Sequence, residues 1–320
     1  MTGSQVRTER RGRVLVVWLD NPPRNFMTAA MTRELDELTR SLERDRSIGA
    51  VVLTGALDGV FIAHYDVAEI AAGGEDGAPV SPGLAAAAVR AVGGLARLPG
   101  AADLLERTPA AGLLALRRTH AMQERIGRMD KVFVAALNGT AMGGGFELAL
   151  ACDIRLLADR DDAWVGLPEL SVGIVPGAGG TQRLARAIGP ARALELILEA
   201  RPLRPAEAVD AGLVHRTLPP ERLLDEAVAT AERLARRSPT SVRATKRAIY
   251  EGASRPLRAG TRLESAGFLA AASRPAAQQA MRAYLEDVDG LGGAPLEPTE
   301  EFYGPWREGT RVDLVGAGTG

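Results

Sequence analysis

Two glutamates and a run of glycines carry the chemistry that this chain can be read for. Asn138-Gly139-Thr140-Ala141-Met142-Gly143-Gly144-Gly145-Phe146-Glu147-Leu148-Ala149 follows an apolar run, Val132–Leu137. That run is short, holds β-branched residues and stops at Asn138-Gly139, which predicts a buried strand. The three glycines then open a predicted helix. Glycine lets bare backbone approach a ligand and turn sharply, and the free N–H groups of a helix start suit developing negative charge. Glu147 lies three residues after Gly144, on the same helix face. One stretch thus supplies an oxyanion donor and an acid/base carboxylate. A second carboxylate follows in Trp164-Val165-Gly166-Leu167-Pro168-Glu169-Leu170, and Pro176-Gly177-Ala178-Gly179-Gly180-Thr181-Gln182 then turns into another helix. Taken singly, either glutamate reads as a solvated surface side chain, and GGG-x-E as a helix with a glycine-rich start.

The ordered set is more specific. NG-x-x-x-GGG-x-E, then Cys152-Asp153, then G-x-PE, then PGAGGTQRL resembles the enoyl-CoA hydratase/isomerase (crotonase) superfamily. The resemblance runs from about residue 14 to 247, except for one inserted segment. It implies an α/β fold, a spiral of β-β-α repeats followed by a C-terminal helical region. Phe61-Ile62-Ala63-His64-Tyr65-Asp66 is similar to the family's F-x-A-G-x-D. Carried over, the backbone N–H groups of Tyr65 and Gly144 form an oxyanion hole. Glu147 and Glu169 are then the acid/base pair, and Ala63, His64, Asp66, Gly143, Leu167, Pro168 and Gly177 border the substrate. His64 departs from the pattern, because glycine is usual there and a non-glycine residue does not freely take φ > 0. Its ring either points away or adds a polar, proton-carrying group to the pocket.

A thioester makes its α-carbon acidic and its β-carbon electrophilic, and both properties depend on stabilising an enolate-like oxyanion. Two glutamates flanking one water deprotonate it and deliver a proton to the α-carbon. Family members with glutamate at both positions are typically hydratases, so the resemblance implies reversible addition of water to a 2-enoyl-CoA. Coenzyme A is then part of the substrate, and no separate cofactor is expected. Two alternatives stay open. One is another reaction of the family on a specialised acyl-CoA, by an isomerase, C–C bond hydrolase or lyase. The other is a non-catalytic acyl-CoA binder.

Several elements must position these residues. Val14–Leu19 and Ala50–Gly55 read as buried strands. Thr28 reads as the N-cap of a helix to about Arg44, with Met31, Leu35, Leu38 and Leu42 at helical spacing. Strand, helix and strand at these lengths suggest parallel pairing. Residues 73–128 are the inserted segment: a turn at 73–79, then helices over 84–98 and 110–128. It either borders the acyl pocket or decorates the surface. The expected division is a core over 1–219 and a helical region over 220–320 with a flexible tail, in which Phe302, Tyr303 and Trp306 offer something to bury and 316–320 is mobile. The resemblance implies a homotrimer or a dimer of trimers, assembled partly through 221–289.

Composition excludes several classes. The chain has 320 residues, 46% hydrophobic and 25% charged, an ordinary globular balance. Net charge is −1 with no basic block, against a nucleic-acid surface. Cys152 is the only cysteine, so no internal disulfide forms, and its apolar setting reads as a structural thiol. No His/Cys cluster suggests a metal. The polar start shows no signal peptide, and the helix at 84–98 is too short and too interrupted to span a bilayer. A cytoplasmic protein with no membrane partner is expected.

Overall fold

The computed structural model describes residues 3–72, 79–290 and 299–316. β1 (Val6–Arg11) and β2 (Val14–Leu19) form an antiparallel hairpin. Thr28 caps α1 (Ala29–Arg44), its hydroxyl accepting the Met31 N–H at 3.1 Å. α1 delivers the chain to β3 (Ala50–Gly55), which runs parallel to β2 with Val52 opposite Val16. β4 (Gly59–Ile62) follows at once, and then four helices: α2 (Val67–Ala72), α3 (Pro82–Leu95), α4 (Ala101–Leu105) and α5 (Ala111–Arg128). The next pair is β5 (Val132–Leu137) and β6 (Gly139–Met142), followed by α6 (Gly144–Ala151). A third pair, β7 (Ile154–Ala158) and β8 (Val165–Gly166), precedes α7 (Gly180–Ile188), α8 (Pro190–Leu198), α9 (Pro205–Asp210) and the last strand, β9 (Arg216–Leu218).

The first strand of each pair joins a six-stranded sheet in the order β1-β2-β3-β5-β7-β9, and the second joins a three-stranded sheet, β4-β6-β8. Apart from β1, every strand pairs in parallel. This alternation between sheets is the β-β-α spiral.

The strands of the large sheet are apolar along their length because both faces are covered. Val17, Leu19, Val51, Leu53, Phe133 and Ala135 point to a core shared with α1, α5 and α6. Their alternate neighbours Val14, Val16, Ala50, Val52, Val134 and Ala136 point to Leu223, Ala227, Val228 and Ala231 of α10 (Pro220–Ala235). The period of two in a strand thus meets the period of 3.6 in a helix. α10 belongs with the sheet. Beyond it, α11 (Pro239–Tyr250) is tied down by buried Lys246. That ammonium donates to the carbonyls of Ile126 and Lys131, both at 2.8 Å, and to Asp153 Oδ2 at 2.7 Å. α12 (Leu257–Ala272) buries no residue, and α13 (Pro275–Gly290) buries only Ala276 and Ala283. α14 (Glu300–Glu308) folds back, with the Phe302 and Trp306 rings 5.8 and 5.7 Å from Tyr284 and Arg237 donating to the Trp306 carbonyl at 2.9 Å.

The segment expected as one insertion divides. Its turn at 73–78 lies outside the described residues, as does 317–320 of the expected mobile tail. α3 buries only Val92, and α4 buries nothing. α5 buries Leu114, Thr119, Met122, Gln123 and Ile126 and packs along α1. There Arg125 meets the buried carboxylate of Asp36 at 2.9 Å. α5 is part of the core, not a surface decoration. No described helix is long and apolar enough to cross a membrane.

Candidate active site

The three strands of the small sheet end at one rim. Ile62 of β4 pairs with Ala141 of β6, and Ala141 and Met142 pair with Val165 and Gly166 of β8. Three chain segments therefore leave side by side: Ala63 to Asp66, Gly143 with Gly144, and Leu167 to Glu169. The carboxyl ends of parallel strands are where α/β folds collect ligands. A cavity of about 870 Å³ opens there, near the top of the ~300–1,000 Å³ range of small-molecule sites.

Gly143 turns the chain out of β6 at φ 50°, ψ −128°, which a side chain would resist. Gly144 then begins α6. A Cβ placed on it would sit 3.2 Å from Tyr65 Cβ and 3.7 Å from Tyr65 N, so the two bare amides are neighbours. Tyr65 is held by a short parallel bridge. The Met27 N–H donates to the His64 carbonyl at 2.9 Å, and the Asp66 N–H to the Met27 carbonyl at 2.8 Å. Among the described residues, neither the Tyr65 N–H nor the Gly144 N–H has an acceptor.

Both glutamates line the same cavity. Glu147, on the first turn of α6, is 2% exposed. Its Oε1 accepts the N–H groups of Ala178 at 2.8 Å and Gly180 at 2.7 Å, both from the second glycine-rich turn. Burial pushes this carboxyl above the usual carboxylate range, and the two N–H donors pull the other way. Glu169 opens a 3₁₀ turn, Glu169–Val172. Its buried Oε2 has no hydrogen-bond partner among the described residues. Burial, with the Glu147 charge adding to it, pushes the Glu169 carboxyl up to about 7.

Four of the residues expected at the substrate border line the cavity: His64, Gly143, Pro168 and Gly177. Ala63, Asp66 and Leu167 do not. The Ala63 N–H is bonded to the Asn25 carbonyl at 3.2 Å. Asp66 caps its own turn, accepting the Ala68 N–H at 2.9 Å. Leu167 is buried in the main core. His64 needs no glycine-like backbone, since Asn25 and Ala200 are the only described non-glycine residues with positive φ. Its ring borders the cavity, 4.3 Å from the Phe26 ring, with Nδ1 2.7 Å from the Tyr65 carbonyl. A carbonyl only accepts, so Nδ1 carries a proton. The Tyr65 hydroxyl donates to Glu69 Oε2 at 2.9 Å, and that oxygen also accepts the Ala29 N–H at 2.9 Å.

Sequence reasoning missed most of the apolar wall: Leu113, Leu116 and Thr119 of α5, Val67 and Ile70 of α2, and Val172 and Val175 after the 3₁₀ turn. One signal was available, the recurrence of Leu113, Leu116 and His120 at i, i+3 and i+7, which marks a second used face on α5.

A family model described as Enoyl-CoA hydratase/isomerase matches residues 9–86 and 103–290. The chain belongs to this family. Among its relatives is a protein of Rhizobium meliloti described as a probable enoyl-CoA hydratase. It is 33% identical over 266 residues, covering 82% of this chain and 88% of the relative. A short-chain-enoyl-CoA hydratase of Clostridium acetobutylicum is 30% identical over 284 residues, covering 88% and 95%. In three dimensions the chain is similar to an enoyl-CoA hydratase of Bacillus anthracis, with TM-score 0.70 and 29% identity, covering 88% of this chain and 96% of that one. The family match skips only 87–102 within its span. The unmatched stretch is therefore the later part of α3, with its one buried residue Val92, and the start of α4, and α5 falls inside the match. Cys152 of the family's Cys-Asp pair is buried, and burial pushes its thiol up to about 12, which suits a structural role.

Proposed function

We propose that this protein is an enoyl-CoA hydratase that adds water reversibly to the double bond of a 2-enoyl-CoA thioester. One observation carries the reading: a buried and a half-buried carboxyl group and two uncommitted backbone N–H groups meet at one cavity. The relatives named as enoyl-CoA hydratases support it. The Tyr65 and Gly144 N–H groups receive the thioester oxygen, where negative charge collects as the enolate forms. One such donor is commonly worth about 100- to 1,000-fold in rate. Glu147, whose ionised form its two N–H donors favour, takes a proton from water. The water oxygen bonds to the β-carbon and the π pair moves into the enolate. Glu169, which holds its proton up to about pH 7, delivers that proton to the α-carbon. Water has then added across the double bond, leaving the proton on Glu147 and the charge on Glu169. Proton exchange with solvent restores the pair. The balance closes on protein groups and substrate alone, without a separate cofactor.

Incubation with crotonyl-CoA and longer 2-enoyl-CoAs is expected to bleach the conjugated-thioester absorbance. If 3-enoyl-CoAs convert and 2-enoyl-CoAs do not hydrate, the protein is an isomerase instead. We also infer a homotrimer or dimer of trimers, in line with the exposed Phe268 and Leu269 of α12 and Leu285 of α13. Sedimentation as a 33.7 kDa monomer at micromolar concentration would overturn that.

A further inference from the structure

The carboxylate of Glu147 is held by peptide groups, and those peptides are themselves held from behind. The peptide joining Gly177 to Ala178 is bonded at both ends. Its N–H donates to Glu147 at 2.8 Å, and its carbonyl accepts from His120 Nε2 of α5 at 2.8 Å. The next carbonyl, that of Ala178, accepts from the Arg183 guanidinium at 3.2 Å. The same guanidinium nitrogen donates to Gln123 Oε1 of α5 at 2.6 Å. Gly179, at φ 89°, leaves bare backbone where the guanidinium lies. None of His120, Gln123 and Arg183 lines the cavity.

We infer that Arg183, seated on α5 through Gln123, is a positioning residue that, together with His120, locks the glycine-rich turn against Glu147 and keeps that carboxylate ionised and aimed. This deepens the hydratase reading and rests on it. Three physical arguments carry it. First, a peptide gripped at its carbonyl is a better N–H donor, because hydrogen bonds in a chain polarise one another. Second, the turn holds three glycines within Pro176 to Gly180 and has little stiffness of its own. Third, Arg183 is desolvated and charged beside Glu147, and each favours the ionised form of the other. The other groups facing Arg183 are Glu124 of α5, Arg186 of α7 and the Cys152 thiol. Glu169 is the other titratable group coupled to Glu147.

The test reads Glu147 directly. Protein labelled with ¹³C at the glutamate side-chain carboxyl is titrated by NMR, and the Glu147 signal is assigned by its loss in Glu147→Gln. Arg183→Met is expected to move the Glu147 midpoint up by at least about half a pH unit. It is also expected to lower kcat on crotonyl-CoA about tenfold or more, with KM within about twofold, as a misaimed group does. Arg183→Lys keeps the charge and is expected to shift the midpoint less. Gln123→Leu and His120→Ala keep the Arg183 charge and loosen the turn, so each is expected to give a smaller shift in the same direction. They also serve if Arg183→Met does not fold. A folded variant set, with Tm and far-UV circular dichroism as in the parent, in which the Glu147 midpoint stays put would overturn the inference. The titration needs no turnover. If the parent protein fails to hydrate while the midpoint still moves, the hydratase reading fails and the positioning role stands.

Discussion

The cavity has two walls of different construction. The reactive wall is backbone and carboxylate, built where three parallel strands end: the Met27–Tyr65 bridge holds one amide, α6 begins with the other, and two N–H donors fix Glu147. The apolar lining is made of Val67, Ile70, Leu113, Leu116, Val172 and Val175, and is partly open, with Val175 70% exposed. The contrast separates two jobs. On the proposed reading, oxyanion and proton chemistry, which tolerates little displacement, would sit on strand ends. Acyl selection needs only shape, and sits on helices and a turn that can change without disturbing the sheet.

The largest effect expected from breaking this contrast is on the reactive wall. Glu147→Gln and Glu169→Gln should each lower kcat at least about 100-fold, for every acyl chain alike, in steady-state assays. Near-normal turnover by either folded variant would remove it from the acid/base pair. The pH dependence sharpens the roles within that wall. In the proposed reaction Glu169 acts in its protonated form, and its carboxyl is pushed up to about 7. kcat/KM should therefore fall about tenfold per pH unit above that value, and the fall should be absent from the residual activity of Glu169→Gln.

The apolar wall should respond differently. Leu116→Trp and Tyr65→Ala should reorder the preference among short, branched and long 2-enoyl-CoAs by about tenfold, within the ~1–3 kcal/mol that one pocket methylene commands. The best substrate of each variant should still turn over well. If neither substitution changes the order, selectivity lies outside this wall.

The smallest expected effect is on stability. The raised Glu169 carboxyl means that the native state keeps a proton which the unfolded chain releases near pH ~4.3. Native Glu169 therefore becomes a liability as pH rises from there through about 7. Glu169→Gln should raise Tm at pH 8 and lose that advantage at pH 4. Discounted for partial exposure, the gain is on the order of 1 kcal/mol.

The reactive wall was legible because its residue types are chemically unusual and closely spaced: GGG before Glu147, G-x-P before Glu169. The apolar wall was not, because its residues look like any core. α3 and α5 show why. Both follow β4, and the more polar of the two is the one that is buried: α5 carries five charged residues and α3 one. α5 finds Met31 and Leu35 of α1 and buries Met122 and Ile126 against that core, whereas α3 exposes Leu84 and Val89. Partnership across the fold decides, and no local pattern encodes it. Ala63, Asp66 and Leu167 do not line this cavity: adjacency in a motif does not say which side of the backbone meets it.

The small sheet also bears on when the protein becomes active. Tyr65, Gly144 and Glu169 are far apart in sequence and meet only through β4-β6-β8 pairing, so loop-closure entropy must be overcome before any of them works. α1, α5 and α10 form from nearby residues and precede such closure. A one-residue slip of β6 would turn Ala141 and Met142 to opposite faces and misplace the Gly144 amide. Turnover recovered after dilution from denaturant should therefore trail the return of helical circular dichroism. Coincident recovery would show that the three strand ends are in register from the first collapse.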